Sequence, residues 1–188
     1  CHQTTLTLNQ IRPLNHPVRR LFYLVKLAGD SKGEKWTSAL LSSWEKDKYK
    51  KPKEILEQWL ELIPNYENPY WNHHYTFEKE AQKAFLPLMG QDLKKEICVN
   101  TILPLLFQHK KDDLALIKNI FSFLPATKSG KTKYLIHRFF GDTPKGKILH
   151  KADKEQGAFQ LHKDFCTHYE ASCEGCPFVE NYNVILGK

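Results

Sequence analysis

Apolar positions recur at helical spacing along most of the chain, and strand-like alternation is nearly absent. Val18, Leu21, Phe22, Val25 and Ala28 mark one face of a first helix, closed by Gly29-Asp30. Ahead of it, Thr4 to Leu14 reads as extended or irregular, because Pro13 and Pro17 exclude a regular helix. Trp36, Leu40, Leu41 and Trp44 define a second helix. Pro52 sits at a first-turn position of a third, whose buried face is Ile55, Leu56, Trp59, Leu60 and Ile63 until Pro64 stops it.

Asn65 to Thr76 is a loop rich in aromatic, Asn and His residues. A helix from about Phe77 to Met89 is expected next, ended by Gly90. Another begins near Asp92 and carries Ile97, Thr101 and Leu105, with Pro104 kinking or dividing it. Asp112-Asp113 should cap a helix through Leu116, Ile117, Ile120 and Phe123. Lys131 to Phe140 reads as helical and stops at Gly141, Thr143 to Gly146 as a linker, and about Asp153 to Tyr169 as a last long helix running into a cysteine-rich loop. The pattern therefore predicts an all-α fold, a multi-helix orthogonal bundle with a short C-terminal cysteine-rich loop. At 188 residues the expected division is a helical domain over 1–150 and a C-terminal helix with the cysteine-rich segment over 151–188.

A formal charge of +7 favours an anionic partner, such as DNA or RNA, without requiring one. The longest apolar run near the middle, Ile102 to Phe107, is far too short to span a bilayer, so no membrane partner is expected. The opening Cys-His-Gln-Thr does not read as a secretory leader, and the reducing cytoplasm is the expected setting.

Three of the five cysteines, Cys166, Cys173 and Cys176, fall within one short segment. Such local density suits thiolates wrapped around zinc or an iron–sulfur cluster, with His168 inside the loop as a further donor. Zinc wants four N or S donors and a cubane cluster usually four Cys, and no Cys follows Cys176. Reduced, unliganded thiols are therefore an open alternative. A disulfide framework is weaker, because a chain of this size needs no staples and an odd thiol is left over.

Other motifs weaken on inspection. Ser129-Gly130-Lys131-Thr132 mimics the end of a phosphate-binding P-loop, but Pro125 stands where the motif needs Gly and a helix leads in where it needs a strand. A turn before a helix, capped by Ser129 or Thr127, is the better reading, and Lys128, Lys131 and Lys133 around such a helix start could contact a phosphate backbone. His73-His74 lacks a metal-binding pattern, and Glu54, Glu57 and Glu61 follow a solvated helix face. Lys46 to Lys53 form the densest basic stretch, readable as a charged loop or as a phosphate-facing patch. No paired carboxylates or nucleophile signature identifies a catalytic site.

Several segments together resemble the C-terminal half of an uncharacterised bacterial family known only as a domain of unknown function. They are Arg12-Pro13-x-Asn15-x-Pro17-x-x-Arg20-Leu21, Tyr70-Trp71 with His74-Tyr75, Asn100-Thr101-x-x-Pro104-Leu105-Leu106-Phe107, then Gln156, Leu161, Cys166, Cys173 and Cys176. Longer members of that family carry an N-terminal half with Gly-Pro-Asp-Phe and Val-Glu-Ile-His patterns similar to metal-dependent nucleases, so the resemblance implies a nuclease-like domain or protein as partner. The gap between the first two clustered cysteines is longer here than in the family. A second, local likeness links Gly157 to His162 and the cysteines to the iron–sulfur loop of helix-hairpin-helix DNA glycosylases. That loop has a fourth Cys where this chain has Tyr182, and Leu124 to Thr132 lacks the first Gly of the hairpin signature.

The expectation is a helical nucleic-acid-binding accessory module with a structural metal or iron–sulfur site. Lys48, Lys50, Lys51, Lys128, Lys131 and Lys133 would contact phosphates, joined by Arg12 and Arg20. The alternative is a helical protein-interaction scaffold with free thiols.

Overall fold

The computed structural model describes residues 16–29, 32–77, 80–127, 129–142, 144–168 and 173–185, and the regular elements among them are helices, with no strand. The all-α, multi-helix reading holds. The chain divides into two compact units, Cys1–Cys98 and Val99–Lys188. The expected cut after residue 150 would run through the second unit, because the helix that begins there packs on the two preceding helices of the same unit.

In the first unit α1 (Pro17–Gly29), α2 (Lys32–Asp47), α3 (Pro52–Leu62) and α4 (Gln91–Ile97) pack in sequence order. Leu40 and Trp44 on α2 and Ile55 and Trp59 on α3 are each one helical turn apart, so each pair projects from one face, and all four are buried. The Trp44 and Trp59 rings meet with centroids 6.3 Å apart. Truncating either would cost about 3–5 kcal/mol in a core packed this closely. Ile63 leaves the helix extended just before Pro64, and the last carbonyls of α3 are claimed from elsewhere. Lys94 of α4 is buried and donates from Nζ to the Leu60 and Ile63 carbonyls at 3.1 and 2.9 Å, and Trp36 Nε1 donates to Leu62 at 3.0 Å.

The expected face of α1 is not the one that packs. Leu21 and Val25 are exposed, whereas Arg19 and Tyr23 are buried. Tyr23 donates to the Pro64 carbonyl at 2.8 Å and meets Tyr66 edge-on at 5.1 Å. Nor does a helix run from Phe77 to Met89. Residues 80–90 form an irregular strap whose backbone bonds go to other segments: Gln82 N to His73 O, and Leu86 N to Asn72 O. Asn72 and Arg19 then take the Leu86 carbonyl, and Pro87 has no N–H to offer a helix.

After α4 the helical path opens into a π-helix over Cys98–Ile102, within which the second unit begins at Val99, and continues as α5 (Leu103–His109). Pro104, in the first turn of α5, cannot donate to the Asn100 carbonyl, and a local π shift is the usual accommodation. A short 3-10 turn, Lys111–Asp113, leads into α6 (Leu114–Phe123), where Asp113 occupies the cap position without a side-chain cap bond. Next come α7 (Gly130–Phe140), a 3-10 segment Pro144–His150 in place of the expected linker, α8 (Ala152–Phe165), a 3-10 turn Cys166–His168 and α9 (Pro177–Ile185). The core gathers Leu103, Leu106, Ile117, Ile120, Leu124 and Leu135, and Leu149 and Ala158 join Leu135. Gly141 ends α7 at φ +56, a conformation that side chains disfavour.

Candidate functional site

The cysteine segment is built by the end of α8 and the start of α9. Cys166 begins the 3-10 turn that closes α8 and is buried. Further on, Cys173-Glu174-Gly175-Cys176 forms a β-turn: Cys176 N donates to the Cys173 carbonyl at 3.3 Å, and Gly175 in third position takes φ +70, as a type II turn requires. Cys176 is buried at 5% exposure while Cys173 is exposed. Pro177 opens α9, and Phe178 carries that helix onto Phe165 of α8 at 5.4 Å. All three thiols are free of disulfides. Burial pushes the Cys166 thiol up from its ordinary value, a hydrogen bond and positive charge from Arg138 oppose the shift, and Cys173 and Cys176 are close enough to add to it. The sequence brings these three residues together, then, but among the described residues no group of three or more His, Cys, Asp or Glu side chains is arranged to hold a metal ion. The side chain of His168 lies outside those described.

The second candidate is the turn between α6 and α7. Ser129 caps α7 by accepting from Thr132 N at 3.1 Å, as the sequence suggests. Behind it stands Glu155 of α8, fully buried, a residue sequence reading passed over. Its carboxylate accepts from Thr127 N at 2.8 Å, from Thr127 Oγ1 at 3.0 Å and from Thr132 Oγ1. Bonds from Ala126 N to His150 O and from Ala152 N to Leu124 O, both 2.9 Å, tie the same loop to the start of α8. Lys131 and Lys133 are exposed on the first turn of α7, with Lys131 Nζ 4.9 Å from the centre of the Phe159 ring. Lys128 lies outside the described residues.

Lys48, Lys50 and Lys51 fall between α2 and α3 in the first unit, where acids already neutralise part of the patch. Lys48 pairs with Glu45 and Lys50 with Asp47, each at 2.8 Å, and Lys53 lies 3.8 Å from Glu57. The Lys50 hydrogen bond is the main cause holding the Asp47 carboxyl below its usual range. Lys51 is exposed at the cap position of α3. Arg20 is half-buried and feels Glu96, and Arg12 lies outside the described residues.

The arginine that organises the aromatic loop is Arg19. Its guanidinium is 1% exposed and donates to four backbone carbonyls: Nη1 to Trp71 and to His74 at 2.8 Å, Nη2 to Leu86 at 3.1 Å and Pro87 at 3.0 Å. Within that loop Tyr70 and His74 stack with rings 3.9 Å apart, and His74 Nδ1 donates to the Tyr70 carbonyl at 2.9 Å. His73 Nδ1 donates likewise to Gln82 O at 3.1 Å, so both histidines are held by backbone, as an ordinary docked loop would have them. Two open grooves of about 290 Å³ each are lined by Asn65, Tyr66, Met89 and neighbours in the first unit, and by Leu103, Phe107, Phe121, Gln156 and neighbours in the second. Neither gathers the convergent acid, base and nucleophile that catalysis uses.

A family model described as "Protein of unknown function (DUF2851)" matches residues 1–132. The matched span contains the Arg12 to Leu21, Tyr70 to Tyr75 and Asn100 to Phe107 segments and ends before Gln156 and the cysteine cluster. No curated protein and no solved structure matches the chain.

Proposed function

Since the chain belongs to this family of proteins of unknown function, we propose that it is a helical nucleic-acid-binding accessory module, serving a nuclease-like domain or protein. The observation that carries the reading is the α6–α7 turn. There a helix start capped by Ser129 and braced by Glu155 presents exposed Lys131 and Lys133, cations of the kind that pair with a phosphate backbone. The net charge of +7 agrees with it. The nuclease-like partner is supported by the resemblance to longer family members.

Phosphate contacts release counterions, so binding of DNA or RNA should weaken steeply with salt. Replacing Lys131 and Lys133 with Gln should lower the log–log salt slope by about 1 for each lost contact. Absence of binding to either nucleic acid at low salt would discard the reading.

As part of the same reading, Cys166, Cys173 and Cys176, with His168 as candidate fourth donor, are a structural centre for zinc or an iron–sulfur cluster. Their closeness supports it. Elemental analysis of freshly purified, reduced protein tests it, with stoichiometric zinc or iron expected.

A protein-interaction scaffold is the second reading. It is favoured by Leu21, Leu24 and Val25 of α1, which are 60, 58 and 60% exposed and form an apolar strip of the kind that marks a docking face.

A further inference from the structure

We infer that Cys173 and Cys176 form a thiol–disulfide exchange site whose co-substrate is a low-molecular-weight disulfide of the glutathione type. The inference concerns these thiols when no metal holds them, and it rests on the turn rather than on the nucleic-acid reading.

The geometry of the turn carries it. The ends of a hydrogen-bonded β-turn lie within about 7 Å in Cα separation, and a disulfide needs about 4.4–6.8 Å. Cys173 and Cys176 occupy those two ends, joined by the 3.3 Å backbone bond, and Gly175 at φ +70 shapes the bend without strain. Pro177 fixes the chain just beyond. The Cα separation that this turn sets is one a disulfide can span.

Exposure assigns the roles. Cys173 is open to solvent, while Cys176 and Cys166 are 5 and 8% exposed. An incoming disulfide meets Cys173 first. The Cys173 thiolate attacks one sulfur of the co-substrate, forming a mixed disulfide and releasing one thiolate. The Cys176 thiolate then attacks Cys173 Sγ, closing the intramolecular bond and expelling the second thiolate. The two protons lost by the cysteines go to the two released thiolates, and the two electrons go to the co-substrate, which is reduced to two thiols. Cys176, at the other end of the same hydrogen-bonded turn, is the resolving group. Closure removes two of the three clustered sulfurs from any metal, so oxidation and metal loading compete.

The test uses the full chain, reduced, desalted without oxygen and analysed for metal, then exposed to oxidised glutathione at neutral pH and followed by intact mass and peptide mapping. Wild type should lose two hydrogens, mapped to Cys173 and Cys176. Cys176→Ser should stop at a stable glutathione adduct on Cys173, Cys173→Ser should react at least about tenfold more slowly as access dictates, and Cys166→Ser should still close. Circular dichroism confirms that each variant is folded, and Cys166→Ser with wild type keeps the test decisive if Cys176→Ser is not. A disulfide mapped to Cys166 would overturn the assignment. Fresh protein that holds zinc or iron and resists oxidation would overturn exchange and leave the metal reading standing. Exchange in metal-free protein supports the inference and removes the metal, and inert, metal-free protein removes both.

Discussion

The carboxylate of Glu155 and the hydroxyl of Thr132 share a buried hydrogen bond that joins α8 to the first turn of α7. Two donors of Thr127 and one of Thr132 converge on this one carboxylate, so the α6–α7 turn is braced from behind as well as by its own Ser129 cap.

Glu155→Gln should keep the shape but exchange an anionic acceptor for a weaker one facing the same donors, at a cost of about 1–3 kcal/mol. Thr132→Val should cost a similar amount, and the double variant less than the sum, because both remove one network. Urea unfolding followed by far-UV circular dichroism checks this, and additive costs would show the two residues to be independent.

Alkaline pH should weaken the protein through Cys98, which burial pushes from an ordinary 9.0 up to about 12. A thiol whose folded value is raised stays protonated while the unfolded chain releases its proton. Its contribution is therefore whole below pH 9.0 and lost as pH rises toward about 12, at up to about 1.4 kcal/mol per pH unit. Cys98→Ala should flatten the first part of that decline. Tyr23, also raised by burial, would sustain the rest above its ordinary 10.0. Urea midpoints across this range check the slope, and an unchanged slope in Cys98→Ala would refute the assignment.

Arg19→Met should be as damaging as truncating a core tryptophan, because it leaves the four carbonyls of Trp71, His74, Leu86 and Pro87 without their donor. A loss of about 3–5 kcal/mol is expected for breaking so buried a charged network, and Arg19→Lys should recover only part of it, since an ammonium lacks the planar fork. All four tryptophans, Trp36, Trp44, Trp59 and Trp71, lie in this unit, so fluorescence-detected unfolding reads it selectively.

Gly141→Ala should cost about 1 kcal/mol, since φ +56 is the left-handed side that a Cβ disfavours. Nothing lies within 4 Å of the added Cβ, so the loss would be conformational rather than steric. A thermal melt that leaves the midpoint unchanged would count against this.

Where local pattern and packing agree, the sequence was a good guide. Ile55, Trp59 and Ile63 are buried as their spacing suggests, Ser129 caps α7, and Pro104 disturbs the helical path. On α1 the guide failed, because apolar spacing picks Leu21 and Val25, whereas burial goes to Arg19 and Tyr23, whose polar ends find carbonyls remote in sequence. The missing helix over 77–89 has the same origin: its backbone is bonded to Asn72, His73 and Arg19, partners that no local window contains. In the candidate sites, clustering of the cysteines was readable from spacing, but the participation of Arg138 and Glu155 was not, since each lies on a different element from the groups it serves. The start of α9 did leave a signal in Pro177 followed by Phe178 and Tyr182 at helical spacing, which the density of cysteines just before it obscured.

Arg19 anchors its loop by a means that environment scarcely touches. Ion pairs dissolve when acid protonates their carboxylates or when counterions screen them. The acceptors of Arg19 among the described residues are backbone carbonyls, which do neither. Burial lowers the guanidinium from its ordinary value, but the group remains a cation wherever proteins normally work. The hold on Trp71 and His74 should therefore survive both acidification and brine, conditions that would strip the lysine pairs around Asp47 and Glu45 from the same unit.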